Sequence, residues 1–209
     1  MDLKRQWINE IWSNKYLILI SLIFLLIAVI LDLTAGNYVT RTPAVAASDL
    51  VLDHIPVVDL DFFYVYGIIT VIAVLFLYPL FFKVNNFHKV IAQFSLLVMI
   101  RSIFICFTHL ALPTDALDFH VPQIFSYFNF KNDLFFSGHA AIPFLGFLLF
   151  PEKKIRYFFL FFSILLSGVV LLMHVHYTID VLSAFFITFG TFKIGEWFFN
   201  KISRYNGHK

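Results

Sequence analysis

The chain has 209 residues, of which 60% are hydrophobic and 13% charged, and its formal net charge is +2. A soluble globular domain carries charge on about a quarter of its residues, so this composition excludes one and points to lipid. So small a net charge gives no electrostatic footprint for nucleic acid, and the single cysteine, Cys106, excludes an intrachain disulfide.

The N-terminal residues 1–15 place Trp7, Ile8, Ile11 and Trp12 on one helical face, which predicts an interfacial helix on the inner leaflet. The first apolar run follows Lys4, Arg5 and Lys15 but is long for a signal peptide and has no small-residue cleavage site after it, so it reads as an uncleaved signal anchor. Crossing about 30 Å of hydrocarbon takes about twenty helical residues. Six stretches meet that length: 16–33, 62–82, 90–112, 134–150, 157–173 and 177–199. None alternates apolar with polar, so they predict helices, not barrel strands. The expected architecture is all-α, one transmembrane domain over residues 1–209. It comprises the interfacial helix 1–15, a six-helix bundle over 16–199 and a cytoplasmic tail 200–209.

Basic residues resist translocation and so orient short loops. The N-terminus holds Lys4, Arg5 and Lys15, the second loop Lys83 and Lys89, the fourth Lys153, Lys154 and Arg156, and the C-terminus Lys201, Arg204 and Lys209. The first, third and fifth connections hold only Arg41 and Lys131, beside Asp49, Asp53, Asp59, Asp61, Asp115, Asp118 and Asp133. This division predicts both termini in the cytoplasm.

Ionisable groups within a membrane helix are costly, so each needs an account. Asp32, Lys193 and Glu196 read as lying near helix ends, where they snorkel. Arg101 falls mid-way along the third predicted helix and must face the bundle interior, where it meets an anion or a polar cavity. Ser137-Gly138-His139 opens the fourth predicted helix after the polar Lys131-Asn132-Asp133, and a helix start offers unpaired N–H groups that cradle phosphate. Pro143 suits a helix beginning there. In His174-Val175-His176-Tyr177-Thr178-Ile179-Asp180, the i and i+4 spacing lets Asp180 hold the His176 ring and fix its tautomer. The charge-derived topology brings His139 and the His176/Asp180 pair to one face of the membrane. His174 is balanced between polar support and pocket lining. His54, His88, His109, His120 and His208 read as solvated or interfacial, and the 29 phenylalanines as lipid-facing and packing groups.

These residues resemble a known family. Arg101 with Thr108 and Leu110, Asp133-x-x-x-Ser137-Gly138-His139, the His174-x-His176-Tyr177-Thr178-Ile179-Asp180-Val181 string and, more faintly, Asp49-x-x-x-Asp53-His54 are similar to the sphingomyelin synthase family. That family is in turn similar to the type 2 phosphatidic acid phosphatases. The resemblance runs from about residue 49 to 190. It implies that His176 is the nucleophile, forming a phosphohistidine, that Asp180 orients it, and that His139 acts as acid and then base. It implies phosphate binding by Arg101, Ser137 and Gly138, with Asp133, Tyr177 and His174 in support. No metal or other cofactor is implied.

The expected activity is transfer of a phosphoalcohol head group, of the phosphocholine or phosphoethanolamine type, from a glycerophospholipid to ceramide or diacylglycerol. A lipid phosphatase or phospholipase C-type hydrolase with water as acceptor shares the same motif. A lipid or anion transporter is the reading from another class, although neither inverted repeats nor paired broken helices are visible. Three histidines and an aspartate also leave a metal site open.

Overall fold

The computed structural model describes residues 3–118, 123 and 130–206. Among the described residues the chain forms seven α-helices: α1 (Leu3–Ser13), α2 (Lys15–Arg41), α3 (Asp61–Phe82), α4 (Val84–Phe107), α5 (Gly138–Leu149), α6 (Lys153–Leu172) and α7 (Thr178–Asn206). A single 3-10 turn, Leu52–His54, and an isolated parallel bridge between Val45 and Leu110 complete the regular structure. Five helices, α2, α3, α4, α6 and the Thr178–Phe199 part of α7, are long and apolar enough to cross a membrane. The chain is a multi-pass membrane protein. Exposed Leu19, Ile20, Ile23, Leu26 and Ile30 give α2 an outward apolar face suited to lipid.

The helix limits differ from the predicted segments in four places, and each difference has a local cause. The fourth segment, 134–150, contains only the 12-residue α5, about 18 Å long, so six full-length spans are not found. Residues 133–137 are non-helical because their polar groups answer other partners, and the helix stops at Phe150, just before Pro151. Pro143 lies beyond the first turn of α5 and forfeits a bond inside the helix.

The third segment, predicted at 90–112, is α4 at Val84–Phe107, because Ala111 N–H leaves the helix pattern to bond Val45 O at 3.1 Å. Arg101 therefore lies six residues, about 9 Å, from the C-terminal end of α4 and not at its middle. In the other direction α2 continues to Arg41, with Thr34 and Asn37 side chains bonding carbonyls of the preceding turn. Asp32 is thereby nine residues from the helix end, in mid-span and not near the end as its position in the apolar run implied. Finally, α7 runs through residues 200–206, expected as a tail, and places Lys193 and Glu196 well inside the helix. His120 and His208 lie outside the described residues, as do 119, 121, 122 and 124–129 of the third connection.

The contacts sort the helix ends into two groups. At one end Val58 N–H bonds Leu172 O, Val45 meets Leu110, and Ser137 N–H bonds Asp180 O, which gathers the ends of α2, α3, α4, α5, α6 and α7 that carry the acidic loops. At the other end Lys83 pairs with Glu152 at 3.0 Å, Trp7 Nε1–H of α1 bonds Leu80 O at 2.8 Å, and Asn14 bonds Asn85. His88 stacks edge-on to Phe199 there. The acidic end carries every predicted site residue. Beneath it lies a core of Leu97, Phe136, Ala140, Leu145, Val170, Met173 and Ala184. α5 is pressed against α6 so closely that a Cβ on Gly146 would collide with the Phe159 ring, which glycine alone avoids.

Candidate active site

The turn between α6 and α7 sets the site. Helix α6 closes with two bonds, Val175 N–H to Val170 O at 3.1 Å and His174 N–H to Leu171 O at 3.0 Å. That pattern requires a left-handed residue, normally glycine, and here His174 supplies it with φ 56°. The strain is held by tertiary contacts: the buried His174 ring places Nδ1 2.8 Å from Asp115 Oδ2, and Leu117 N–H bonds Met173 O. His174's hydrogen bond keeps the Asp115 carboxyl below the usual carboxylate range.

Immediately after it, Tyr177 caps α7. Asp180, the third residue of the helix and fully buried, reaches back so that its Oδ2 accepts the Tyr177 N–H at 2.9 Å, the acidic half of a capping box. The same oxygen stands 3.4 Å from His176 Nδ1, longer than a well-formed hydrogen bond. His176 and Asp180 thus meet through a cap and not, as the i and i+4 spacing implied, along a shared helix face. His176 precedes the helix. Asp180 Oδ1 is buried with no hydrogen-bond partner.

The first and third connections are fastened over this turn. Asp49 Oδ2 accepts the Thr178 N–H at 2.6 Å and Oδ1 the Thr178 hydroxyl at 2.7 Å, and Oδ1 also takes the N–H groups of Val51 and Leu52. Burial raises the Asp49 pKa, but these bonds outweigh it and hold the carboxyl below its ordinary value. Tyr177 hydroxyl donates to Ala111 O and accepts the Ala47 N–H, tying both connections to one side chain.

Ser137-Gly138-His139 arrives from the opposite side. Ser137 is the fully buried N-cap of α5, but its Oγ makes no cap bond and has no partner. Its N–H donates to Asp180 O at 3.1 Å, so the first turns of α5 and α7 are bonded directly to each other. A Cβ on Gly138 would sit 3.7 Å from Arg101 Nε, an ordinary contact, so packing does not require glycine there. His139 stacks on Tyr64 of α3, with centroids 4.1 Å apart at 17°. His139 Nε2 is buried with no hydrogen-bond partner. His139 lies within Coulombic reach of both His176 and Arg101.

Arg101 stands behind this segment. Its guanidinium forms a two-toothed pair with Asp133, Nη1 to Oδ2 and Nη2 to Oδ1 both at 2.9 Å, and its Nε–H donates to Phe136 O at 2.9 Å. The fork therefore holds the non-helical strip 133–136 that delivers Ser137 to the start of α5. This use of planar geometry is one an ammonium cannot reproduce.

His139, His176, Asp180, Ser137, Gly138, Arg101, Asp133, Tyr177 and His174 are thus brought to one end of the bundle. Three further residues belong with them. Tyr64 carried no sequence signal, since one tyrosine in an apolar run looks like packing. Asp115 was one of several loop acids. Asp49 appeared only in the faint likeness of the first loop, with no indication that it caps another segment's helix. Among the described residues no group of three or more His, Cys, Asp or Glu is arranged to hold a metal ion.

Residues 132–197 match the family model of the PAP2 superfamily C-terminal domain. The matched stretch, about a third of the chain, contains Asp133, Ser137-Gly138-His139 and the His174–Asp180 string, and it supports the type 2 phosphatidic acid phosphatase superfamily at that coarse level. It stops short of Arg101 and of everything before it. No curated protein and no solved structure matches the chain. The match favours a lipid phosphatase or phosphotransferase type of enzyme.

Proposed function

We propose that this protein is a membrane-embedded lipid phosphotransferase that moves a phosphoalcohol head group, of the phosphocholine or phosphoethanolamine type, from a glycerophospholipid to ceramide or diacylglycerol. The observation that carries the reading is that three of the unpartnered buried atoms, Ser137 Oγ, His139 Nε2 and Asp180 Oδ1, fall on two helix starts bonded to each other. Buried polar atoms are nearly always satisfied, and such exceptions cluster where a ligand is handled. The sphingomyelin synthase-like resemblance supplies the choice of transferase.

In this mechanism His176 Nδ1 faces Asp180, which leaves Nε2 as the nucleophile. Nε2 attacks phosphorus, the P–O bond to the diacylglycerol oxygen breaks, and His139 Nε2 delivers the proton that oxygen takes up. Deprotonated by that step, His139 then removes the proton of the acceptor hydroxyl, which attacks the phosphohistidine and releases His176. Gly138 and the other free N–H groups of the α5 start, Ser137 Oγ and the positive charge of Arg101 stabilise the phosphate oxygens. Asp133, Tyr177 and His174 hold the frame. With the basic loops in the cytoplasm, the site faces the non-cytoplasmic side.

The test is phosphoenzyme formation from a nitrophenyl phosphodiester, whose leaving group needs little protonation. His176→Ala traps no phosphoenzyme, whereas His139→Ala still loads. Loading in His176→Ala with none in His139→Ala reverses the two roles, and normal loading in both replaces the covalent route with direct displacement. Product analysis from labelled phospholipid, with and without ceramide, separates transfer from hydrolysis.

A further inference from the structure

The mechanism leaves an intramembrane carboxylate of α2 unused. Asp32 sits at mid-span of α2, on the stripe formed by Ala28, Ala35, Gly36 and Val39, which are all buried. The small residues on either side let α4 come close. Asp32 Oδ1 accepts from Ser102 Oγ at 3.4 Å, a proton shared with Val98 O at 2.9 Å. Ser102 adjoins Arg101, and Asp32 lies within Coulombic reach of both Arg101 and Asp133.

A carboxylate at this depth needs a reason. Structural neutrality does not supply one, because Asp133 already meets Arg101 with both oxygens. Nor does helix packing, since asparagine would accept the same Ser102 proton without the charge. Arg101 thus has Asp133 in contact and Asp32 within Coulombic reach, and with both carboxyls ionised the trio carries a surplus of one negative charge, with Arg101 Nε directly behind Gly138. A phosphodiester brings one negative charge, whereas a phosphomonoester brings about −1.5 to −2 near neutral pH.

We propose that Asp32 is a specificity-determining residue whose surplus negative charge behind Arg101 disfavours doubly charged phosphomonoesters and thereby selects phosphodiesters. The inference rests on the phosphoryl-transfer reading of the site and deepens it. The residue lies outside both the matched stretch 132–197 and the region of sequence resemblance. For charges on the order of 10 Å apart at an effective dielectric of about 20, removing one changes the discrimination on the order of tenfold.

The experiment compares nitrophenyl phosphate with nitrophenyl phosphocholine on the full chain in lipid nanodiscs, with inorganic phosphate as inhibitor. Asp32→Asn raises the monoester-to-diester ratio of kcat/KM about tenfold and tightens inhibition by phosphate by a similar factor, while Asp32→Glu keeps the wild-type ratio. If Asp32→Asn does not fold, Asp32→Ser removes the same charge and gives the same shift. An unchanged ratio and unchanged phosphate inhibition in the folded neutral variant overturn the proposal and leave Asp32 a packing group or a neutral carboxyl. Wild-type protein that turns over neither ester overturns the phosphoryl-transfer reading itself.

Discussion

Replacing Asp49 by asparagine tests whether the acidic end of the bundle is held by one carboxylate. Asp49 accepts four hydrogen bonds, two from Thr178 and one each from Val51 and Leu52. Asparagine retains one accepting oxygen; standing at Oδ1 it keeps three of the four on a neutral acceptor, and the Thr178 N–H loses its partner. A hydrogen bond to a charged group contributes about 1.5–3 kcal/mol and a neutral one about 1 kcal/mol, so at the lower end one lost and three weakened bonds give about 2–3 kcal/mol for Asp49→Asn. For a chain of this size that lowers Tm by roughly 4–12 °C. Thermal unfolding in detergent, followed by intrinsic fluorescence, measures it. Asp53→Asn is the control, because Asp53 is exposed and its side chain makes no hydrogen bond among the described residues. The pH dependence follows from the same contacts. The folded Asp49 pKa lies below its unfolded value, so its contribution is complete above about pH 4 to 5 and disappears as pH falls through the lowered folded value. Wild type and Asp49→Asn therefore converge in strong acid. A Tm for Asp49→Asn within a degree of wild type at neutral pH would refute the clamp.

Two further outcomes follow from the geometry. Arg101→Lys keeps the charge but loses the two-toothed grip on Asp133 and the Nε–H bond to Phe136 O, so turnover falls on the order of a hundredfold; near-native turnover would make Arg101 a simple counter-charge. Cysteines placed at Asp118 and Lys154 are labelled by an impermeant thiol reagent from opposite sides, Asp118 from outside, and labelling of Lys154→Cys from outside would invert the topology.

The candidate site's local geometry was legible in the sequence wherever it rested on adjacent residues. Ser137-Gly138-His139 and His176 with Asp180 are local groups, and the helices that carry them start where the sequence places them, because an N-cap is decided within four residues. The alternation of basic and acidic connections also reads directly, and the structure gathers the acidic connections at one end of the bundle and the basic ones at the other. The apolar runs of α3, α6 and α7 were visible to within a few residues at the acidic end of the bundle, since lipid exposure demands continuous hydrophobicity.

What only the tertiary structure decided is where apolar sequence stops being helix, and which distant groups meet. Residues 108–112 and 134–137 are as apolar as the helices they adjoin, yet their backbone bonds go to Val45, Arg101 and Asp180, partners that no local window contains. The shortening of α5, the shift of α4 and the extension of α2 all follow from that competition for hydrogen bonds. Moving those limits turned Arg101 from a mid-membrane charge into the anchor of the Ser137 strip. It also turned Asp32 from a charge at a helix end into a mid-span carboxylate within Coulombic reach of Arg101. Asp49 capping Thr178, 129 residues away, and Tyr64 stacking on His139 are of the same kind: each is one polar or aromatic side chain whose partner exists only once the bundle has closed.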